Sequence, residues 1–372
     1  MNPLKQLPQH GLSVWLDYID RHLLAGGGLA RLISEDDVRG VTSNPAIFEK
    51  AIGGDPDYRD DLDALRRQDL ASNEMLERLV LPDICAAADA LQGVYAATDR
   101  RDGYVSLEVP PALAHDTEAT VAEGRRLWQA VARDNLMIKV PATEAGLPAI
   151  TQLIADGINV NVTLLFSRDM HTRVMDAYLD GLERRAAAGL PLDGITGVAS
   201  FFVSRIDTEV DERLGQRLQF AQAPDEREFI RSLMGKAAIA NARLAYRQWK
   251  TQFASPRWQA LSQRGAQSQR LLWASTGVKN PAYRDVLYIE ELIGADTVNT
   301  VPPATLDAFR DHGRVRPSLE EGADEAEAVL EALVNLGISL DEVTARLLDD
   351  GVSLFAQAHD KLLGRLARLE KN

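Results

Sequence analysis

Short apolar runs typical of β-strands alternate with longer amphipathic segments along the whole chain of 372 residues. The predicted strands are Ser13–Ile19, Gly40–Asn44, Tyr104–Val109, Leu136–Pro141, Ile158–Leu165, Ile195–Ser204, Arg270–Thr276 and Thr297–Val301. The segments between them carry apolar residues at helical spacing, as in Thr117–Arg133, Ser167–Ala188 and Glu226–Phe253. Such alternation indicates a parallel sheet, and eight repeats are the number that closes a (β/α)8 barrel. The predicted fold class is therefore α/β, a TIM barrel with extra helices.

A doubly wound open sheet is the alternative arrangement for the same alternation. That fold binds nucleotides through a glycine-rich loop after its first strand, and no such fingerprint follows the first predicted strand. The glycines of Gly26–Gly28 follow Leu-Leu-Ala and are typical of a helix end. The barrel is therefore favoured.

We expect residues 1–372 to form a single domain, because no linker rich in Pro, Gly or Ser interrupts the chain. The stretch Phe48–Asp102 is too long for one crossover and should hold several helices. Residues 317–372 are predicted to be a helical C-terminal extension throughout, with Ser339-Leu-Asp-Glu starting one helix by a capping box. The extension's apolar spacing favours packing on the barrel, and a lid or a partner-binding surface is the alternative.

The charge balance restricts the classes of partner. The chain has 55 acidic and 41 basic side chains, a net charge of −14, which argues against nucleic acid or anionic membranes. No apolar run approaches the length of a membrane span, and the N-terminus lacks the layout of a signal peptide. The single cysteine, Cys85, excludes internal disulfides, and the six histidines show no metal-binding spacing. We therefore expect a cytoplasmic monomer or homodimer without metal or cofactor.

Period-two alternation gives several strands one apolar and one polar face. In a closed barrel one face packs on helices and the other points into the lumen, so these polar faces predict a polar interior. A catalytic cluster at the C-terminal mouth is favoured over hydrogen bonds that are satisfied internally, because barrel enzymes keep their chemistry at that mouth. The polar residues at or near C-terminal strand ends are Asp17, Asn44, Glu108, Lys139, Asn161, Thr163, Ser200 and Ser275.

Lys139 is a charged residue within the otherwise apolar strand-like run Asn135–Pro141. A lone lysine at a strand end commonly extends to water, which is the alternative interpretation. Inside a barrel, however, loss of water lowers the pKa of a lysine ammonium and favours the neutral amine that a Schiff-base nucleophile requires.

The residue types nearby fit that chemistry. A neutral lysine adds to a ketone and becomes an iminium, an electron sink that permits cleavage of a neighbouring C–C bond. Glu108 is suited to proton transfer through a water held by Thr163, and Asp17 is a second carboxylate that could serve as the base for cleavage. Asn44 and Asn161 would hold sugar hydroxyls through paired donor and acceptor groups. Together these residues predict a Schiff-base aldol enzyme.

Five motifs in one order along the chain resemble those of the transaldolase family in its longer bacterial form. They are Gly40–Lys50 (GVTSNPAIFEK), Asn135–Leu147 (NLMIKVPATEAGL), Gly157–Ser167 (GINVNVTLLFS), Val198–Asp207 (VASFFVSRID) and Trp273–Asn280 (WASTGVKN). The resemblance implies that Lys139 forms the Schiff base with the donor ketose and that Asp17 is the acid/base for C3–C4 cleavage. It also implies that Glu108 and Thr163 activate a water for imine formation and hydrolysis.

The resemblance further implies two sets of substrate-binding residues. Asn44, Asn161 and Ser200 would hold the dihydroxyacetone unit, and Arg205, Ser275 and Lys279 would hold the phosphate. Local cations are what an acidic protein needs to bind a sugar phosphate. Without the motif, a salt bridge from Arg205 to Asp207 or Glu209 is an equally good interpretation. Shorter family members usually have an arginine in place of Lys279, and lysine offers a point charge instead of a bidentate fork.

The activity implied by the resemblance is transfer of a dihydroxyacetone unit from sedoheptulose 7-phosphate to glyceraldehyde 3-phosphate, giving erythrose 4-phosphate and fructose 6-phosphate. A class I aldolase that releases dihydroxyacetone is the alternative, and a non-catalytic sugar-phosphate-binding protein is a third hypothesis. The third is disfavoured because a binding protein has no need of a buried amine. We expect Phe202, on the strand face of Ser200, to keep water from the iminium and favour transfer.

Overall fold

In the described chain eight parallel strands pair in order and close into a barrel. The computed structural model describes residues 2–68 and 70–369. The strands are β1 (Leu12–Leu16), β2 (Val38–Val41), β3 (Tyr104–Glu108), β4 (Leu136–Pro141), β5 (Val160–Leu165), β6 (Gly197–Phe202), β7 (Arg270–Ala274) and β8 (Thr297–Val301). β8 pairs with β1 from Leu12 opposite Thr297 to Leu16 opposite Val301, so these two strands leave no free sheet edge. The fold is therefore a (β/α)8 barrel.

Helices connect the strands and extend the chain beyond the last one. Within the described residues the α-helices are α1 (Arg21–Ala25), α2 (Gly28–Asp36), α3 (Pro45–Gly54), α4 (Arg59–Leu65), α5 (Ser72–Ala97), α6 (Thr117–Val131), α7 (Gly146–Asp156), α8 (Arg168–Ala187), α9 (Ser204–Phe220), α10 (Pro224–Leu233), α11 (Ala237–Gln252), α12 (Pro256–Ser262), α13 (Leu287–Glu290), α14 (Pro303–His312), α15 (Ala323–Asn335) and α16 (Leu340–Leu369). Short 3-10 helices cover Pro3–His10, Pro56–Tyr58 and Pro111–Leu113.

All eight predicted strands are confirmed, and their ends differ from the predictions by a few residues. β1 ends at Leu16, so Asp17 lies just beyond its strand, and β6 ends at Phe202 so that Ser204 begins α9. The stretch Phe48–Asp102 does hold several helices, namely most of α3 with α4 and α5.

The predicted helical segment Glu226–Phe253 is divided between two helices, α10 and α11. Gly235 lies between them with a φ of +71°, a conformation that a glycine adopts without strain. A Cβ atom at Gly235 would lie 2.8 Å from the ring of Tyr283. Close packing of the ring and the left-handed backbone together therefore fix the break.

The C-terminal extension is helical from Ala323 onward, apart from the segment between α15 and α16. α15 ends at Asn335 and α16 starts at Leu340, so a new helix does begin next to Ser339 as predicted, while residues 317–322 and 336–339 depart from the prediction of helix throughout. Ser339 caps α16, since its Oγ accepts a hydrogen bond from the backbone N–H of Glu342 at 3.3 Å. The carboxylate of Glu342 instead lies 3.8 Å from Arg213, so the reciprocal half of the predicted capping box is replaced by an ion pair. Residues 370–372 lie outside the described residues.

α16 crosses the C-terminal mouth of the barrel. Near its start Arg346 lies 3.2 Å from Glu209 of α9, which follows β6. Near its end Arg365 donates to the carbonyl of Gly53 in α3 at 2.7 Å, and α3 follows β2. Because β2 and β6 lie on opposite sides of an eight-stranded barrel, a helix that contacts both must span the opening. Thirty residues of helix extend about 45 Å, which is long enough to do so.

Near the N-terminal ends of the strands, the polar side chains of the lumen form hydrogen bonds with one another. Asp102, 2% exposed, accepts hydrogen bonds from Ser13 Oγ at 2.7 Å, Trp15 Nε1 at 3.2 Å and Arg270 Nη2 at 2.8 Å. Burial alone would raise the pKa of Asp102, but Arg270 and the hydrogen bonds hold that pKa below its usual range. The alternative of internally satisfied hydrogen bonds is therefore confirmed for this end of the barrel.

One helix in the described chain, α5, is long and apolar enough by length and composition to cross a bilayer. The expectation that no apolar run reaches that length is therefore wrong for this segment. α5 packs against β3, and residues such as Met75, Leu79 and Leu91 are fully buried there. Its one buried carboxylate, Asp83, is held by Arg21 and Tyr58. These contacts are those of an amphipathic core helix.

Replacing Asp102 should destabilise the barrel. Asp102→Asn removes the charge that compensates the buried Arg270, and an uncompensated buried charge costs about 3–5 kcal/mol. The free energy of unfolding from urea titrations at pH 7 measures the change.

The contribution of Asp102 to stability should also depend on pH. Because the pKa of Asp102 is lowered in the folded state, its stabilisation of the barrel is complete above about pH 4 and disappears as pH falls further. The control is Asp296→Asn in the exposed pair with Arg101, where less than about 1 kcal/mol is expected. Equal effects of the two substitutions would contradict the prediction.

Candidate active site

Strand register places three of the predicted residues at one level of the barrel. Glu108 in β3 pairs with Lys139 in β4, and Lys139 pairs with Asn161 in β5. Neighbouring residues in a parallel sheet point to the same face, so the three side chains are adjacent inside the lumen. Lys139 is 5% exposed and therefore does not extend to water.

Lys139 contacts an acceptor and a carboxylate. Its Nζ donates to the backbone carbonyl of Ser43 at 2.9 Å and lies 3.4 Å from Oε2 of Glu108. The Glu108 oxygen forms an ion pair with the lysine but no aligned hydrogen bond within the described chain. Burial raises the pKa of Glu108, although the charge of Lys139 opposes that rise. The carboxyl group of Glu108 can therefore take up and release a proton nearer neutral pH than a free glutamate can.

A row of hydrogen-bonded side chains continues from Asn161. Its Oδ1 accepts from Ser200 Oγ at 2.6 Å, and its Nδ2 donates to Ser106 Oγ at 3.0 Å. All three side chains are buried, with Asn161 at 0% exposure. The row fixes the orientation of the amide and links β3, β5 and β6.

Thr163 follows Asn161 on the same face of β5. Its Oγ1 is buried and has no hydrogen-bond partner among the described residues. The next residue, Leu164, has a φ of +57°, which is rare for a residue with a side chain. The pairing of β5 with β6 shifts register between Val162 and Leu165, so the strand bulges directly after Thr163. A hydroxyl held in this way is available to a water or a substrate.

Asp17 lies at the end of β1 on the other side of the lumen. Its Oδ1 accepts from Thr42 Oγ1 at 2.7 Å, and Thr42 Oγ1 also lies 2.6 Å from Thr300 Oγ1. Burial raises the pKa of Asp17, and the hydrogen bond from Thr42 and the charges of Lys139 and Lys279 oppose that rise.

Asn44 is the N-cap of α3. Its Oδ1 accepts from the backbone N–H of Ile47 at 3.0 Å. The side chain therefore has a structural use in addition to the expected substrate contact, and it sits beside the Ser43 carbonyl that holds Lys139.

Arg205 lies in the first turn of α9. Its guanidinium lies 5.4 Å from the centre of the Phe202 ring, and no carboxylate of the described chain forms an ion pair with it. The alternative of a salt bridge to Asp207 or Glu209 is wrong, because Asp207 accepts from Tyr288 Oη at 2.8 Å and Glu209 pairs with Arg213 at 2.9 Å. Burial lowers the pKa of Arg205, and Asp17 opposes that shift. Among the residues that the structure describes, this cation therefore has no counter-charge at contact distance.

Ser275 and Lys279 lie in the loop after β7. Ser275 Oγ lies 3.0 Å from Ser204 Oγ at the start of α9, which brings this loop beside Arg205. Lys279 is exposed and acts on Asp17 only through its charge. The fold thus brings Ser275 to the same edge of the mouth as Arg205, with Lys279 at its outer rim.

Three residues that contact the predicted site had no assigned role from the sequence. Thr42 supports Asp17, Ser43 supplies the carbonyl for Lys139, and Ser106 supports Asn161. Thr42 and Ser43 lie inside a matched motif, and Ser106 lies on the polar face of β3. The motif and the alternation therefore pointed to them, but the contacts themselves depend on tertiary structure.

A cavity of about 590 Å³ adjoins the site between α5, α6 and the end of α16. Glu108 and Asn44 line it, and Lys139 does not. Most of its other walls are apolar, with His359 and Arg126 among the polar residues. The catalytic lumen and this cavity therefore meet at Glu108.

Known proteins are similar to this chain over nearly its whole length. The sequence profile described as Transaldolase/Fructose-6-phosphate aldolase matches residues 14–366. Transaldolase 1 of Streptomyces avermitilis is 50% identical over 98% of this chain and 94% of its own length. The transaldolases of Thermobifida fusca (50% identical; 99% and 98% covered) and Thiobacillus denitrificans (49% identical; 98% and 100% covered) are similar to the same extent. With its closed barrel and its lysine beside a glutamate, the chain belongs to the transaldolase/fructose-6-phosphate aldolase family.

Proposed function

We propose that the chain is a transaldolase that transfers a dihydroxyacetone unit from sedoheptulose 7-phosphate to glyceraldehyde 3-phosphate, giving erythrose 4-phosphate and fructose 6-phosphate. The observation that carries the proposal is the buried Lys139, held between the Ser43 carbonyl and Glu108. A lysine in this setting is suited to covalent catalysis, and its place in the family supports that use.

Imine formation begins when the neutral Nζ of Lys139 attacks the carbonyl carbon of the donor ketose. The carbinolamine then loses water to give the iminium. Glu108 transfers the protons, through a water held by the unpartnered hydroxyl of Thr163. The raised pKa of Glu108 suits it to both giving and accepting a proton.

Cleavage of the C3–C4 bond requires loss of the proton from the C4 hydroxyl, and Asp17 accepts that proton. The bonding electrons move to the iminium nitrogen and leave an enamine on Lys139, while the aldehyde product departs. The enamine carbon then attacks the acceptor aldehyde, the new iminium is hydrolysed, and Asp17 returns the proton.

Substrate binding divides between two parts of the mouth. The row of Asn161 and Ser200, with Asn44, would hold the hydroxyls of the dihydroxyacetone unit. Arg205 and Ser275 would hold the phosphate, with Lys279 adding its charge from the rim. The absence of a counter-charge on Arg205 within the described residues supports this assignment, because a phosphate would supply one.

The wider proposal covers location and organisation. The chain would act in the cytoplasm in the non-oxidative pentose phosphate pathway. Residues 1–372 would form one barrel domain with 317–372 as an extension, an arrangement supported by the contacts of α16 with α3, α5 and α9.

A class I aldolase that releases dihydroxyacetone is the second candidate. The family description includes both activities, and both use the same iminium. Phe202 is 7% exposed and lies beside Phe166 and Arg205 at the mouth, where an apolar ring would limit access of water to the enamine.

Substitution of Lys139 tests the proposed imine. In wild-type protein, borohydride in the presence of fructose 6-phosphate should reduce the imine to a secondary amine and increase the mass of the peptide that contains Lys139. Lys139→Ala and Lys139→Arg should both abolish this increment, because neither side chain is a nucleophilic amine. Circular dichroism should show an unchanged fold. A mass increment that persists in either variant, or its absence in the wild type, would overturn the proposal.

The hydroxyl of Thr42 should tune the pH dependence of cleavage. Thr42→Val removes the hydrogen bond that lowers the pKa of Asp17, so the pKa should rise further. Because the ionised carboxylate is the active base, the acid limb of kcat should move to higher pH by about one unit, the effect of one charge-assisted hydrogen bond. Profiles of kcat against pH measure the shift. Thr42→Ser keeps the hydroxyl and should leave the limb in place, and an unmoved limb in Thr42→Val would contradict the role of Asp17.

The ring of Phe202 should influence the ratio of transfer to release. Phe202→Tyr adds a hydroxyl that can position water near the enamine, so release of dihydroxyacetone relative to transfer should increase. Coupled assays of fructose 6-phosphate with and without an aldehyde acceptor give this ratio. Phe220→Tyr, at a ring that is 78% exposed, is the matched control. An unchanged ratio in Phe202→Tyr would contradict the proposal that exclusion of water from the enamine favours transfer.

A further inference from the structure

α16 carries a glycine where it passes over the barrel mouth. Gly351 is buried in the interior of this helix, and the residues one turn before and after it, Leu347 and Phe355, are buried too. Glycine weakens a helix interior relative to alanine. A buried position within an apolar stripe therefore holds a residue that weakens the helix, which points to a steric requirement at this position.

The steric requirement comes from Leu164, and Arg205 lies within van der Waals range of the same position. A Cβ atom at Gly351 would lie 2.9 Å from Cδ2 of Leu164 and 3.7 Å from Nη1 of Arg205. Leu164 is 1% exposed and has a φ of +57°, and either its buried side chain or α16 must shift to relieve this contact. The absence of a side chain at Gly351 thus allows α16 to pack closely against Leu164.

Arg205 depends on such packing for its position. Its guanidinium has no ion-pair partner in the described residues, and it lies beside the Phe202 ring and 3.7 Å from where a Cβ atom at Gly351 would be. A long side chain without a charged partner is otherwise free to adopt several rotamers. The helix therefore restricts a cation that would face the substrate.

We propose that Gly351 is a positioning residue, which lets α16 pack on Leu164 and hold Arg205 where it binds the phosphate of the sugar substrate. The inference rests on the proposed function, because it takes the phosphate role of Arg205 from there. It adds that the C-terminal helix takes part in the recognition of phosphorylated substrates.

Gly351→Ala tests this inference, with Gly364→Ala as the matched control. Both glycines lie in α16, and a Cβ atom at Gly364 would have Arg368 Nη1, at 4.0 Å, as its nearest neighbour. The two variants gain the same helix propensity, so only Gly351→Ala introduces a contact with the mouth.

Two ketones separate phosphate recognition from imine chemistry. Borohydride trapping on Lys139 is titrated with fructose 6-phosphate and, separately, with dihydroxyacetone, which has no phosphate. In Gly351→Ala the half-saturating concentration of fructose 6-phosphate should rise about tenfold, the loss of one charge-assisted hydrogen bond. The half-saturating concentration of dihydroxyacetone should stay unchanged, and Gly364→Ala should match the wild type with both. An equal loss with both ketones, or no loss with fructose 6-phosphate, overturns the inference.

Arg205→Ala and the double variant Arg205→Ala/Gly351→Ala complete a cycle. If Gly351 acts through Arg205, the double variant should bind fructose 6-phosphate no more weakly than Arg205→Ala alone. Additive losses would overturn the inference and leave the proposed function intact. Failure of the wild-type protein to form an imine with either ketone would instead overturn the proposed function.

A second variant distinguishes a local steric effect from loss of the fold. Thermal melts are recorded for each protein, and Leu164→Ala/Gly351→Ala removes the Cδ2 atom that the new Cβ atom would meet. This pair should recover the wild-type response to fructose 6-phosphate if the clash with Leu164 displaces α16. A folded double variant that keeps the tenfold loss would count against the steric account.

Discussion

The burial of Lys139 inside a closed parallel barrel is the constraint on which the rest of the site depends. An amine at this depth needs an acceptor and a compensating charge, and the Ser43 carbonyl and Glu108 provide them. Glu108 is in place because strand register pairs it with Lys139, so the same backbone hydrogen bonds that close the sheet also assemble the chemistry. Closure of the barrel keeps bulk water away from both groups, and this loss of water raises the pKa of Glu108.

The polar lumen serves two purposes at its two ends. At the N-terminal end, Asp102 and Arg270 neutralise each other and their hydrogen bonds are largely satisfied, which is an arrangement suited to stability. At the C-terminal end, Thr163 has an unpartnered hydroxyl and Arg205 lacks a counter-charge within the described residues. Unsatisfied groups cost folding energy, and they are also the groups that a substrate or a water can satisfy. The difference between the two ends separates structural polarity from functional polarity more clearly than residue type does.

Local sequence patterns predicted the architecture. Features that depend on contacts between residues distant in sequence could not be predicted in this way. Period-two alternation and the count of eight strands predicted the barrel, and the positions of Glu108, Lys139 and Asn161 near C-terminal strand ends predicted that they lie at one mouth, where the strand register pairs them. The break at Gly235 was missed because the helical spacing continues through it, and the Tyr283 ring that fills its place is distant in sequence. The contact of Lys139 with Ser43 joins residues 96 positions apart, so no local pattern contains it. The left-handed backbone at Leu164 was equally hidden, since leucine is an unusual residue for that conformation.

The hydrogen bond from Lys139 to the Ser43 carbonyl has a consequence for the number of donors at the active nitrogen. An ammonium group offers three N–H donors and a neutral amine two, whereas the iminium nitrogen of the proposed intermediate keeps one. The Ser43 carbonyl and Glu108 therefore compete for a single proton once the substrate is attached. The acceptor that does not receive this N–H must then accept a hydrogen bond from the substrate or from water. Since Ser43 directly precedes the Asn44 cap of α3, the carbonyl that accepts from Lys139 belongs to the peptide bond that leads into that helix.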